Sequence, residues 1–242
     1  MQRIGPLAAF LLGIIKLTMS DVPNLQVPTI CIAHSNARFP VRRIFCVGQN
    51  YADHAREMGS DPNRQPPFFF TKPADAVVAS GLSLSFPTRT ANLHHEVELV
   101  VALGRGGVAV KPADAPSMIF GYAVGIDLTR RDMQAEAKKT GRPWDMSKGF
   151  DQSAPIGPVT RGVPPPAGAI TLTIDGQVRQ AGDLADMIWS VADIIAILST
   201  YVAVAAGDLI FTGTPAGVGP IQRGEQVRGA IAGIDPVEVT FE

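Results

Sequence analysis

In His94-His95-Glu96-Val97-Glu98-Leu99-Val100-Val101, two carboxylates alternate with aliphatic side chains. A period of two marks a strand, in which successive side chains point to opposite faces. Glu96 and Glu98 therefore share one face, and Val97, Leu99 and Val101 fill the other. Side-by-side carboxylates in a half-buried setting repel, so one takes a proton or both share a cation. Mg2+, Mn2+ or Ca2+ suits carboxylate oxygens. A solvated strand face that carries two acids is the competing reading of this pair.

Outward from this strand, Asp127 falls where the apolar run Gly121–Ile126 gives way to a helix. With Glu96 and Glu98 it would complete an open-sided, three-carboxylate site for a hard cation. Alternatively it is only a helix-entry residue, and the alternation does not require it to be buried. His54 and Glu57 are three apart on a short predicted helix, so they are neighbours. A carboxylate beside an imidazole orients it as a general base acting on water; a solvated surface pair is the other reading. Lys148, between Trp144-Asp145-Met146-Ser147 and Gly149-Phe150, is a candidate oxyanion or carboxylate ligand, though most lysines simply face water. Gly213-Thr214-Pro215 is a turn whose N–H groups and hydroxyl can hold a carboxylate, or only a tight turn.

The composition narrows the classes. Over 242 residues, 46% hydrophobic and 18% charged, the chain can bury a sizeable core. A net charge of 21 − 22 = −1, without a long basic run, gives nucleic-acid binding little support. Cys31 and Cys46 are the two cysteines, with no disulfide framework or zinc spacing, which favours a reducing, cytoplasmic compartment. There is no phosphate loop, no Gly-x-Ser-x-Gly elbow and no His-Glu-x-x-His. The apolar stretch 4–15 is shorter than the roughly 20 residues of a membrane span, and no small-x-small cleavage site follows it. Met19-Ser20-Asp21 resembles a cytosolic start, so residues 1–18 are expected to be an upstream-start extension, with an export signal as the alternative. Residues 19–40 are expected to form an arm and 41–242 a single catalytic domain.

The rest of the pattern is strand-rich, with 24 Gly and 20 Pro spread throughout. Strands are predicted at 44–47, 68–70, 82–86, 95–103, 119–128 and 208–212, with two more near the end. Asp175-Gly176 is a hairpin turn. Thr129 with Asp132, and Ser190 with Asp193, have the spacing of capping boxes opening helices. The second helix would bury a stripe of Val191, Ile194, Ile195, Leu198, Tyr201 and Val202. The fold expected is α+β, a rolled, mixed β-sheet with few peripheral helices.

Six segments occur together: Val47-Gly48-Gln49-Asn50-Tyr51-Ala52-Asp53-His54, Phe70-Thr71-Lys72-Pro73, His94-His95-Glu96-Val97-Glu98-Leu99, Gly125-Ile126-Asp127-Leu128-Thr129-Arg130-Arg131-Asp132, Ser147-Lys148-Gly149-Phe150 and Phe211-Thr212-Gly213-Thr214-Pro215. In this order they resemble the fumarylacetoacetate hydrolase superfamily, in its short acylpyruvate hydrolase branch. Phe39-Pro40-Val41-Arg42-Arg43 and the run from Pro66 to Ala76 look most like bacterial fumarylpyruvate hydrolases. The resemblance implies a C–C hydrolase acting on a 2,4-dioxo acid, a Mg2+ or Mn2+ cofactor (Ca2+ binding without full activity) and a homodimer. By position it implies Glu96, Glu98 and Asp127 as metal ligands and His54 with Glu57 as the water-activating dyad. Lys148 would contact substrate oxygens, with Arg131, Gln134 and Thr214 lining the pocket. Relatives commonly carry arginine where this chain has Gln49. Decarboxylation of oxaloacetate-like acids, isomerisation of a dioxo acid and non-catalytic binding are the alternatives.

Overall fold

The computed structural model describes residues 23–59, 61 and 66–242; the expectations for residues 1–18 lie outside them. The centre is an eight-stranded, rolled mixed sheet. Its order is Phe68–Lys72, Arg43–Gly48, Asp208–Phe211, Val97–Leu103, Ile119–Ile126, Ala154–Ile156 and Val77–Ala79, with Thr160–Arg161 also pairing with Ile119–Ile126. Asp208–Phe211 runs parallel to Arg43–Gly48 and antiparallel to Val97–Leu103. A five-stranded sheet, Gln177–Asp183, Ala169–Ile174, Gln226–Ile231, Val237–Phe241 and Leu82–Leu84, forms a second layer.

Every residue of Val97–Leu103 is buried, because both faces are covered. Val97, Leu99 and Val101 join Leu172, Val227 and Val239 of the second sheet in one core, while Val100 and Ala102 join another. The second core is roofed by the hairpin Thr29–Cys31/Arg38–Pro40, which contributes Ile30 and Phe39. Of the expected arm, residues 29–40 are thus docked, and Ala33 N–H donates to Val159 O at 2.9 Å.

The described helices are few: α1 (Ala52–Glu57), α2 (Arg131–Thr140), α3 (Asp145–Lys148) and α4 (Val191–Tyr201). Ser190 caps α4 as predicted, accepting from Asp193 N–H. Ile194, Ile195 and Leu198 are buried, whereas Tyr201 turns outward. At the Asp175-Gly176 turn both residues have positive φ, as a two-residue hairpin of this hand requires.

Two local expectations are corrected. Thr129 does not cap α2; it lies in the short strand Thr129–Arg130, and its hydroxyl donates to Glu96 Oε1 at 3.2 Å. The predicted strand 95–103 is broken at Glu96, between Leu93–His95 in a three-stranded sheet and Val97–Leu103 in the large one.

Candidate active site

That break positions the acids. Glu98 stands opposite Gly125 in the ladder. Asp127 leaves the end of Ile119–Ile126, and its N–H donates to Glu96 O at 2.8 Å. One oxygen from each of Glu96, Glu98 and Asp127 lies within 4.8 Å of the others. The side chains are not solvated: exposure is 5% for Glu96, 2% for Glu98 and 1% for Asp127. Asp127, which the alternation left free to be exposed, is therefore fully buried.

Cations from three segments meet the acids. Lys148 Nζ lies 2.9 Å from Glu96 Oε2 and 2.8 Å from Asp127 Oδ2. Arg131 Nη2 is 2.5 Å from Glu96 Oε1, and Lys72 Nζ is 2.8 Å from Asp127 Oδ1. Burial acts to raise the Glu96 pKa, but Lys148 and Arg131 overcome it and hold that carboxyl well below its usual range. Glu98 is pushed the other way, by burial and then by the charges of Asp127 and Glu96. Burial opposes charge on Lys148 too, yet Asp127 and Glu96 raise its pKa.

This donor set fits a divalent cation. All three ligating groups are carboxylates, and Asp127 Oδ1 accepts no well-directed hydrogen bond despite the nearby Lys72. Glu98 accepts from Gly213 N–H at 2.7 Å and otherwise faces like charge. Around a bound divalent ion, three ionised carboxylates are offset by Lys72, Lys148 and Arg131. A bound divalent ion adds two positive charges, which favours an anionic partner in the cleft.

His54 and Glu57 share one face of α1, with Nδ1 to Oε2 at 3.0 Å. His54 is buried rather than on a solvated face. With Nδ1 held by a carboxylate, Nε2 is its basic nitrogen. Glu57 also accepts from Gly217 N–H at 3.2 and 3.3 Å. Gly217 has φ +95°, and a Cβ there would lie 2.4 Å from Arg179 O, so glycine alone fits this donor.

A cleft joins these groups. His54, Glu96, Glu98, Arg131, Gln134 and Lys148 border it, and so does Thr214. Glu57 supports the wall through His54, and Asp127 through Lys148. Gln134 accepts from Arg131 Nη1 at 2.6 Å. The Gly213-Thr214 turn is not an empty carboxylate cradle. Gly213 N–H is taken by Glu98, and the Thr214 hydroxyl donates to Val97 O and accepts from Gln180 Nε2, each at 2.8 Å.

Lys72 and Gln180 escaped the sequence reading. The cue for Lys72 was a lone cation between Phe68-Phe69-Phe70-Thr71 and a proline, which a buried strand has to neutralise. Gln180 is buried and also accepts from Val97 N–H at 3.1 Å; nothing in its local sequence announces that role. Gln49 borders the cleft in a left-handed conformation, φ +57°.

The family model for fumarylacetoacetate (FAA) hydrolase C-terminal matches residues 43–242. Fumarylpyruvate hydrolase of a Ralstonia species is 41% identical over 182 residues, 74% of this chain and 95% of the relative. Mouse mitochondrial oxaloacetate tautomerase FAHD1 is 41% identical over 196 residues, 80% of this chain and 88% of the relative. Among solved structures, Pseudomonas aeruginosa fumarylpyruvate hydrolase in complex with Mn2+ and pyruvate superposes with a TM-score of 0.88 at 49% identity, covering 90% of this chain and 97% of that one. From its sequence, fold and acidic centre alike, the chain belongs to the fumarylacetoacetate hydrolase family.

Proposed function

We propose that this chain hydrolyses the C3–C4 bond of a 2,4-dioxo acid, fumarylpyruvate above all, to pyruvate and a carboxylic acid. The observation that carries this reading is the His54–Glu57 pair, at 3.0 Å, bordering the same cleft as Glu96 and Glu98. His54, oriented by Glu57, removes a proton from water, which adds to the C4 carbonyl. The C3–C4 bond then breaks, its electron pair passes to the pyruvate fragment, and a proton at C3 completes pyruvate. Lys148 and Arg131 place positive charge beside the oxygens of that fragment, where negative charge develops. Gln134 holds Arg131 in place, and Thr214 closes the wall through its bonds to Val97 and Gln180. Mg2+ or Mn2+ held by Glu96, Glu98 and Asp127 would supply Lewis-acid stabilisation of the developing charge.

Residues 41–242 form the catalytic domain in this reading, working as a cytoplasmic homodimer; the unpaired Cys31 and Cys46 agree with a reducing compartment. Among the described residues, no helix is long and apolar enough to cross a membrane.

The similarity to oxaloacetate tautomerase favours one second reading, proton transfer within oxaloacetate without bond cleavage. Purified protein is assayed by absorbance with fumarylpyruvate, acetylpyruvate and oxaloacetate, with and without Mg2+. The expected result is Mg2+-dependent loss of fumarylpyruvate with equal amounts of pyruvate and fumarate formed. Interconversion of oxaloacetate tautomers with no dioxo acid cleaved would assign the second reading. No turnover of any of the three would leave a binding protein.

A further inference from the structure

Arg131, Gln134 and Lys138 follow one another on a single face of α2, at spacings that bring their side chains to the same wall. All three border the cleft. Their partners differ. Arg131 is spent on Glu96 and Gln134, and Lys148 on Glu96 and Asp127. Lys138 pairs with no carboxylate among the described residues, although Arg131, Glu96 and Lys148 are all within electrostatic reach. Its Nζ stands 5.2 Å from the centroid of the Trp144 ring, which holds the ammonium at the rim. Trp144 itself packs against Phe68 and Phe70, ring centroids 5.5 and 5.8 Å away, so an apolar wall leads from the acidic centre to Lys138.

We propose that Lys138 is a specificity-determining residue that receives a carboxylate at the far end of the substrate's acyl chain. The inference rests on the dioxo-acid reading above and deepens it. The dioxo end occupies the acidic centre, the unsaturated acyl chain lies along Phe68, Phe70 and Trp144, and a terminal carboxylate reaches the ammonium. The preferred substrates are therefore dioxo acids whose acyl group ends in a second anion, ahead of those ending in methyl.

The test compares wild type, Lys138→Gln and Lys138→Arg as full-length, Mn2+-loaded protein. Lys138 is exposed and outside the core, so these variants fold. In wild type kcat/KM is expected to be higher for fumarylpyruvate than for acetylpyruvate; the reverse order would overturn the assignment. In Lys138→Gln the ratio of the two falls about tenfold or more, as expected for a lost charge-assisted contact, and Lys138→Arg restores most of it. Calorimetric binding of fumarate and of crotonate, which has a methyl in place of one carboxylate, gives a readout free of turnover. Lys138→Gln weakens fumarate by a similar factor and leaves crotonate as in wild type. Equal effects on both ligands, or no effect on either, would overturn the assignment. If wild type cleaves no dioxo acid, the hydrolase reading fails, and the fumarate and crotonate comparison still decides the role of Lys138.

Discussion

Lys72 Nζ lies 2.8 Å from Asp127 Oδ1, with the two side chains 0% and 1% exposed. The ammonium also donates to Leu128 O at 3.2 Å and to Lys148 O, so one cation ties the strand Phe68–Lys72 to two segments of the acidic centre. Removing one member of a buried pair leaves the other charge uncompensated, at a cost of about 3–5 kcal/mol. Lys148 remains beside Asp127, which puts Lys72→Met at the lower end. Its melting temperature is expected to fall by roughly 10 °C. A melt matching wild type would show that the pair contributes nothing to the fold.

Glu98 makes the opposite case. Burial and two neighbouring carboxylates push it toward its neutral form in the metal-free protein, so Glu98→Gln costs little there. Metal-free Glu98→Gln is expected to melt at or above the wild-type temperature. Mn2+ at about 100 times its Kd stabilises wild type by about 2.7 kcal/mol, and the variant loses most of that gain. The measurement is a pair of melts, with Mn2+ and with chelator. An equal Mn2+-induced rise in both proteins would remove Glu98 from the metal site.

His54 borders the cleft and pairs with Glu57, which is not one of the three clustered carboxylates, so its loss separates chemistry from metal binding. His54→Ala is expected to lower kcat on fumarylpyruvate by about 10²–10⁴-fold, the usual contribution of general acid–base catalysis. The Mn2+-induced rise in melting temperature stays as in wild type. Glu57→Gln keeps the shape, weakens the orientation of the ring and loses less. Near-normal turnover by His54→Ala would contradict the dyad.

Local chemistry made much of this legible. The alternation around Glu98 is a buried strand, the Asp175-Gly176 dipeptide turns a hairpin, and Ser190 caps α4. Each depends on residues close in sequence. What escaped depends on distant ones. Asp127 is buried because Lys72, 55 positions earlier, and Lys148, 21 later, converge on it. The strand breaks at Glu96 because the chain passes there from one sheet to another, a property of topology that an alternating pattern does not carry. Gln180 supports Val97 and Thr214 from a strand of the second sheet, and only tertiary pairing brings it there.

The start of α2 shows how a correct residue can carry the wrong role. Asp132 was legible as part of a cap of the helix with Thr129, but two of its partners come from a different loop. Its carboxylate accepts from Thr90 Oγ1 at 2.7 Å and Ala91 N–H at 3.0 Å, and from Met133 N–H at 2.8 Å. Slight burial acts to raise its pKa, and these donors outweigh it, holding the group below its ordinary value. A carboxyl whose folded pKa is depressed contributes stability above its unfolded pKa of about 3.9, and that contribution is lost as pH falls through the folded value. The site is largely exposed, so solvent screening limits the effect to about 1 kcal/mol or less. Asp132→Asn is therefore expected to melt about 2–3 °C below wild type near pH 6. The gap narrows as the pH falls from about 4 through the folded value, below which both proteins carry a neutral side chain at this position. Melts over that range check it, and a gap that stays constant with pH would mean that the carboxylate charge plays no part in fastening α2 to the Thr90 loop.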